Sequence, residues 1–429
     1  MEIKVWKALS PEEQEAVLTR PAQGDSARVE GIVRDIIAAI RKDGDSALKN
    51  YVQTLDRYEG ALELTGEEIQ TACERLDPAL KEAIDRAYAN LYAFHKAQEP
   101  CHARVETVPG IICECASHPI DAVGLYVPGG SAPLVSTALM LSVPAQIAGC
   151  PEVILCSPPP VSDAIIYAAT LGGVKRIFAM GGAHAIAAMA YGTESVPKVL
   201  KIFGPGNQYV TMAKRLVADD PRGSAIDMPA GPSEVLVIAD KHACPQHIAA
   251  DLLSQAEHGP DSQVILLSDD REVIEKSLVF VGEYLKTLPR AEIARKALSR
   301  STALLCEDMD TCVTISNRYA PEHLIVEVEN PRSLVPVLRN AGSIFLGAYT
   351  SESLGDYAQG TNHTLPTYGY AHTASALGTD DYRRRYTISE ATPDGFLRIA
   401  PVVKVLADAE GLGAHKLAVT VREKTLTGK

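Results

Sequence analysis

The sequence predicts an α/β protein with two parallel-sheet units in series, a helical N-terminal region and a helical C-terminal tail. Three observations carry this. The first hundred residues hold apolar stripes at helical spacing. From about residue 120 short β-rich runs alternate with helical stretches, several of the strands closing on a glycine turn. After Asp381-Tyr382-Arg383-Arg384-Arg385 a helical pattern returns, from about 393 to 425.

In the N-terminal region, Val29, Ile32, Val33, Ile36, Ile37 and Ile40 line one face of a helix. Thr65 with Glu68 forms a capping box that opens a second helix. Asp77 begins a third, carrying Leu80, Ile84, Ala87 and Leu91. The first α/β unit covers about 120–234. A strand from Ala122 to Val127 ends in Pro128-Gly129-Gly130 and leads to a helix near 133–148. Val153 to Ser157 is the next strand. Arg176 to Met180 ends in Gly181-Gly182 and feeds a helix from His184 to Tyr191. Val199 to Phe203 ends in Gly204-Pro205-Gly206-Asn207, before a helix from Tyr209 to Ala218. The second unit covers about 235–350, with strands at Val235 to Ala239, Gln263 to Ser268, Thr302 to Cys306, Leu324 to Glu327 and Ser343 to Leu346. A helix near 245–258 lies between the first two.

The charge balance, 41 Lys+Arg against 54 Asp+Glu and a net charge of −13, disfavours a nucleic acid or an anionic membrane as partner. No apolar run reaches the roughly 18–20 residues of a membrane span. The opening Met1-Glu2-Ile3-Lys4-Val5-Trp6-Lys7 lacks the apolar stretch of a signal peptide. Nine cysteines with no CxxC read as reduced, buried thiols of a cytosolic protein rather than a disulfide framework.

The chemistry concentrates in a few segments. In Ser254-Gln255-Ala256-Glu257-His258-Gly259, Gln255 and His258 stand three apart. On a helix that spacing lets an amide oxygen and an imidazole reach one ion, zinc or another first-row metal. The three glycine turns lie where open α/β sheets bind ligands, although a GxGxxG fingerprint is absent and ordinary tight turns read the same way. Glu322 and His323 place a carboxylate and an imidazole side by side, a pair suited to general acid–base work near neutral pH. Asp356 and His363 sit in a polar, glycine-flanked loop, and His415 follows Glu410 in the tail. Gln255, His258, Asp356 and His415 together would supply four ligands without a thiolate.

Taken in order, Gly124-Leu125-Tyr126-Val127-Pro128-Gly129-Gly130, Phe203-Gly204-Pro205-Gly206-Asn207, Ile226-Asp227-Met228-Pro229-Ala230-Gly231-Pro232-Ser233-Glu234, Ser254 to Ser262, Tyr319-Ala320-Pro321-Glu322-His323-Leu324, Gly355-Asp356-Tyr357 with Gly360-Thr361-Asn362-His363, and Glu410 with Ala414-His415 make the chain resemble the histidinol dehydrogenase family over nearly its whole length. The resemblance implies two incomplete Rossmann-like domains. Residues 22–124 and 235–377 would form the one with the metal and catalytic groups, and 125–234 the one binding NAD. Residues 1–21 would be an N-terminal arm, and 378–429 a helical tail crossing to the partner of a homodimer. It implies zinc, one per subunit, on Gln255, His258, Asp356 and His415, all four also touching the substrate. It implies substrate contacts from Ser233, His323, His363 and Glu410, acid–base work by Glu322 and His323, and a NAD site lined by Tyr126, His184 and Asn207. The implied reaction is the cytoplasmic oxidation of L-histidinol through L-histidinal to L-histidine, consuming two NAD, at the end of histidine biosynthesis.

Three other readings compete. Relatives of the family oxidise other small alcohols such as sulfopropanediols, but the Glu410 carboxylate would repel a sulfonate. A zinc hydrolase would need an open metal position that four protein ligands do not obviously leave. A non-catalytic zinc protein would have no use for both Glu322 and His323. The chain departs from the family at His184, where glutamine is usual. Histidine cannot reproduce an amide's hydrogen-bonding geometry. His184→Gln is therefore expected to change the KM for NAD and leave that for histidinol nearly unchanged; steady-state kinetics with each substrate varied will show an unaltered NAD KM if this is wrong.

Overall fold

Two parallel sheets and one antiparallel sheet make up the framework of the computed structural model, which describes residues 1–20, 26–100, 102–129, 133–228 and 231–428. The five-stranded parallel sheet runs in spatial order Arg176–Ala179, Glu152–Ser157, Ala122–Tyr126, Lys201–Phe203 and Ala225–Ile226. The six-stranded parallel sheet runs Glu2–Val5, Thr302–Leu305, Gln263–Ser268, Glu234–Ala239, His323–Glu327 and Ser343–Leu346. Its central strands, Glu234–Ala239 and Gln263–Ser268, are buried at every position. A parallel strand with helices on both faces has no solvent side, which is why these segments read as unbroken apolar runs.

Three helices of the first unit, Val135–Ala148, Asp163–Leu171 and Gly182–Tyr191, are apolar almost all round. Such a helix needs cover on both faces. The N-terminal helices supply it. Val33, Ile36, Ile40 and Leu48 of Ser26–Tyr51 share one core with Ile154, Phe178, Ile186 and Val210. Ile84 and Leu91 of Pro78–Lys96 share another with Leu125, Leu139 and Ile165. The division implied by the resemblance groups 22–124 with 235–377; the buried side chains of these helices pack instead with the five-stranded sheet. The capping boxes and caps expected from sequence are made: Thr65 accepts from the Glu68 amide, and Asp77 from those of Ala79 and Leu80.

Two departures from the helical reading of the termini stand out. Glu2–Val5 is an edge strand paired in parallel with Thr302–Leu305. In the tail, Arg383–Ala391 is a nine-residue strand. It pairs antiparallel with Ile111–Pro119, which is also paired with Ala103–Val108, to give the three-stranded sheet. In both places pairing with a distant segment decides a conformation that local periodicity does not mark. The helices Pro393–Ala409 and Gly413–Thr427 follow, and the second has no buried residue. Just before the tail strand, Tyr382 is fully buried, stacks on Phe203 at 3.9 Å and donates its hydroxyl to the Leu141 carbonyl at 2.9 Å.

Candidate active site

His323 is the first residue of its strand, and Glu322 immediately precedes it. The helix Met309–Tyr319 ends on Ala320, whose positive φ of 52° turns the chain abruptly into that strand. Glu234 likewise opens the neighbouring strand. These groups therefore sit at the amino edge of the six-stranded sheet, not at the carboxyl edge where open α/β sheets usually bind. The long helix Pro245–Ala256 runs back to this edge and brings Gln255 in its last turn. His258 lies two residues beyond the helix, not within it as the sequence suggested, but its amide donates to the Gln255 carbonyl at 3.2 Å and holds the spacing. The short helix Glu352–Tyr357 returns to the same place with Glu352 and Asp356 on one face.

The imidazole of His323 is 3% exposed. Its Nδ1 lies 3.1 Å from the Glu234 carbonyl, which can only accept, so Nδ1 carries a proton. Its Nε2 has no hydrogen-bond partner and lies 3.5 Å from Asp356 Oδ1. Desolvation pulls this imidazole's pKa down, but Glu322, Glu352 and Asp356 outweigh it and raise it well above the ordinary histidine range. Glu322 is fixed by the Glu234 amide, which donates to its Oε2 at 2.8 Å. Glu234 in turn is held by Arg20 through two hydrogen bonds of 2.5 and 2.9 Å, and the same guanidinium lies 4.0 Å over the Tyr319 ring. The N-terminal arm thus ties down the base of the site.

The donors for a cation are equally clear. One ligand atom from each of His258, Glu352 and Asp356 lies within 4.8 Å of the other two. Gln255 is fully buried and its Nε2 contacts His258 Nδ1 at 3.0 Å, while its Oε1 has no partner. Both oxygens of the fully buried Glu352 are also without partners. Burial, reinforced by Asp356, Glu322 and Asp251, raises the pKa of Glu352 well above the usual carboxylate range. Desolvation lowers His258 and His363 against the pull of Asp356, so both imidazoles keep a lone pair, although part of His258 reaches solvent. Orphaned buried oxygens beside neutral imidazoles are the donor set that a divalent ion with nitrogen and oxygen preferences requires.

His363 is half-buried and contacts Ser136 Oγ at 3.2 Å, at the head of the helix Val135–Ala148. Ser233 is half-buried in the loop before Glu234. Glu410 and His415 are not brought to the group: both are exposed in the tail, which packs against the three-stranded sheet.

At the carboxyl edge of the five-stranded sheet, Gly204 has φ of 119°, and a Cβ there would fall 2.0 Å from the Tyr126 carbonyl, so only glycine fits. The turn lines a cavity of about 370 Å³ together with Lys214, Met228 and Tyr368. Asn207 is exposed and caps the helix Gln208–Asp219, accepting from the Tyr209 and Val210 amides. Tyr126 is buried, accepts from the Gly182 amide at 3.1 Å, and is pushed up to about 12 by burial. His184 is 1% exposed and turned inward onto Asp56 at 2.9 Å, while Asp56 also accepts from the Gly181 amide at 3.0 Å. Any effect of His184 on a cofactor would pass through that turn. Gly130, Pro229 and Ala230 of the quoted motifs lie outside the described residues. A hollow of about 500 Å³ beside Arg34, Arg41, Tyr191 and Asp220 holds none of the site residues.

Three participants escaped sequence reasoning. Glu352 reads as an ordinary first-turn helix acid, and only its i, i+4 relation to Asp356 hints otherwise. Arg20 and Asp251 carry no motif at all.

Comparisons with known proteins point to one family. A family model described as histidinol dehydrogenase matches residues 19–423. Histidinol dehydrogenase of Photobacterium profundum is 55% identical over 427 residues, covering 99% of this chain and 96% of its own. That of Vibrio parahaemolyticus is 55% identical over 428 residues, covering 100% and 99%. The crystal structure of histidinol dehydrogenase from Elizabethkingia anophelis superposes with a TM-score of 0.95 at 44% identity, covering 99% of this chain and 98% of that one.

One stability test follows from the buried acids. Burial, with Glu327 nearby, raises Asp251 from the ordinary carboxylate range to about 7. A folded-state pKa above the unfolded one favours folding only while the group is protonated, so the stability of the metal-free protein is lost as pH rises through that window. Asp251→Asn is expected to stabilise the metal-free protein by on the order of 3 kcal/mol at pH 8 and hardly at all at pH 4. Thermal melts of both proteins across that range test it; equal shifts at both pH values would contradict it.

Proposed function

The chain belongs to the histidinol dehydrogenase family of oxidoreductases, and on that premise we propose that it oxidises L-histidinol to L-histidine through L-histidinal, using zinc and two NAD, in the last steps of histidine biosynthesis. The observation that carries the reading is His323: a buried imidazole with Nδ1 committed to a carbonyl, Nε2 unpartnered, and Glu322 beside it.

His323 Nε2 takes the proton of the substrate hydroxyl as the carbon gives up its hydride. The nicotinamide of NAD, when bound, accepts that hydride. The aldehyde carries one hydrogen on its carbon and must add water before it can give up another. Glu322 removes a proton from that water, held in place by the Glu234 amide on its Oε2. His323 then serves the resulting diol as it served the alcohol. Each oxidation releases one hydride and one proton, four electrons in all.

Gln255, His258, Asp356 and His415 of the partner subunit would hold the zinc. Zinc held there would supply a fixed orientation of the substrate, an effect worth up to ~7–11 kcal/mol in favourable cases. Ser233 and His363 contact the substrate from the same chain, and Glu410 of the partner subunit contacts its imidazole. Tyr126, Asn207 and, through the Gly181–Gly182 turn, His184 shape the NAD site. The amino edge of one sheet and the carboxyl edge of the other converge through the His363–Ser136 contact, which suits transfer between an alcohol held on one and a cofactor held on the other.

The tail supports a homodimer. Val402, Val405, Leu406, Leu417 and Val421 are exposed on its helices, Val405 by 68%. A row of apolar side chains on helices without buried cover is the surface an obligate partner covers. No helix among the described residues is long and apolar enough to cross a membrane, in keeping with a cytoplasmic enzyme.

Purified protein supplied with zinc, NAD and L-histidinol is expected to release two NADH per histidine formed. One NADH would refute the four-electron course, and none would refute the dehydrogenase reading. The shared site has its own test. His415→Ala and Gln255→Ala are each expected to be nearly inactive, but co-expressed chains should regain about a quarter of the wild-type activity, because half the dimers are mixed and each carries one intact site. Absence of any recovery would place His415 in the site of its own chain.

A further inference from the structure

We propose that His95 is a positioning residue for the reaction: acting through Asn362, it holds His363 in register for the substrate across the seam between the two parallel-sheet units. The inference rests on the reading of His363 as a substrate contact and deepens it.

The loop that carries His363 is gripped by two helices of the five-stranded unit. On the helix Val135–Ala148, Ser136 Oγ lies 3.2 Å from His363 Nε2, and the Met140 carbonyl, one turn further on, accepts from Asn362 Nδ2 at 2.7 Å. On the helix Pro78–Lys96, Asn90 Nδ2 donates to the Ala358 carbonyl at 2.8 Å, and His95 Nε2 lies 3.3 Å from Asn362 Nδ2. The approach is close. Gly360 has a φ of 116°, and a Cβ there would fall 2.9 Å from the Asn90 carbonyl.

The polar groups in this contact are enclosed, and their roles are fixed. His95 is fully buried and Asn362 nearly so. Asn362 Oδ1 accepts from the Thr364 amide at 2.9 Å, and its Nδ2 faces a carbonyl that can only accept, so the side-chain amide cannot be turned round. It therefore presents a donor to His95, whose Nε2 must carry the lone pair. The other ring nitrogen gives the same answer independently. Nδ1 lies 3.1 Å from Gln98 Oε1, an oxygen that also accepts from the Thr379 amide at 2.9 Å, so Nδ1 holds the proton. Burial, against the pull of Gln98, keeps this imidazole below the ordinary histidine range, in keeping with a neutral ring. A buried donor deprived of its acceptor is costly, so loss of the His95 lone pair drives Asn362 to turn. His363 is the next residue along. A histidine fixed in one tautomer at both nitrogens is a rigid post, and what it supports is the peptide that carries His363.

Glutamine and asparagine separate the two nitrogens. The amide end of a glutamine falls where Nε2 lies, and that of an asparagine where Nδ1 lies. His95→Gln keeps an acceptor for Asn362, while His95→Asn keeps only the bond to Gln98. In full-length, zinc-loaded protein, His95→Asn is expected to raise the KM for histidinol by about tenfold or more, the worth of one buried hydrogen bond, and to leave that for NAD within about threefold. His95→Gln is expected to hold both constants within about threefold of wild type. Asn362→Asp keeps the bond from Thr364 but cannot donate; it stands in should His95→Asn fail to fold, and should raise the histidinol KM likewise. Equal histidinol KM values in His95→Asn and His95→Gln, whether both raised or both unchanged, would overturn the proposal, because a packing role does not distinguish the two nitrogens. A raised KM in His363→Ala beside an unchanged one in His95→Asn would overturn the proposal alone. An unchanged histidinol KM in His363→Ala would overturn the substrate-contact reading and the proposal with it.

Discussion

Buried negative charge at the amino edge of the six-stranded sheet is the constraint on which the rest of the structure turns. Glu322, Glu352 and Asp356 face one imidazole, with Asp251 close behind. In water such a group would repel weakly; inside a protein each charge is felt by all the others. The chain manages the problem in layers. Arg20 removes Glu234 from the balance, His323 sets its imidazole among the remaining acids, and Glu322 accepts from a backbone amide. What is left over is Glu352, whose two buried oxygens have no partner.

The placement of the site follows from how the two sheets meet. Each sheet alone is an ordinary layered α/β arrangement. The His363–Ser136 contact joins the amino edge of one to the carboxyl edge of the other, and the two edges have opposite character. One edge is dense with titratable side chains. The other is built of glycine turns and helix beginnings, where the absence of a side chain lets the backbone come close to a ligand. The N-terminal helices matter to the site indirectly. By covering the apolar helices of the first unit they keep its sheet, and therefore its turns, in a fixed position.

Much of this was legible in the sequence because it depends on local rules. Most strands of the two parallel sheets announced themselves as short apolar runs, and Ser343–Leu346 and Gln263–Ser268 fall where periodicity puts them. Gln255 and His258 were recognisable from their spacing alone, although the helix stops short of the second. What could not be read is what depends on distance along the chain. Glu2–Val5 is too short and too polar to announce itself, and becomes a strand only because Thr302–Leu305 offers an edge. Arg383–Ala391 begins with three arginines, which hide its strand character until it is seen paired. Glu352 looks like a solvated helix acid, and nothing nearby in sequence reveals that it is enclosed. His184 reads as a cofactor contact, yet its nearest partner, Asp56, lies 128 residues earlier.

The strand Arg383–Ala391 has a consequence for how the molecule is made. Its partner, Ile111–Pro119, leaves the ribosome some 270 residues earlier. Until Arg383–Ala391 is made, that partner has one open edge and must wait with it exposed, guarded only by the hairpin with Ala103–Val108. Both parallel sheets can be complete by then, since their strands end at Leu346. Birth of this protein is therefore ordered: the parallel sheets first, closure of the small sheet afterwards. A nascent chain stalled before Arg383 would hold both parallel sheets and an open strand edge, and it would be the stage at which two neighbouring chains on one message could most readily pair wrongly.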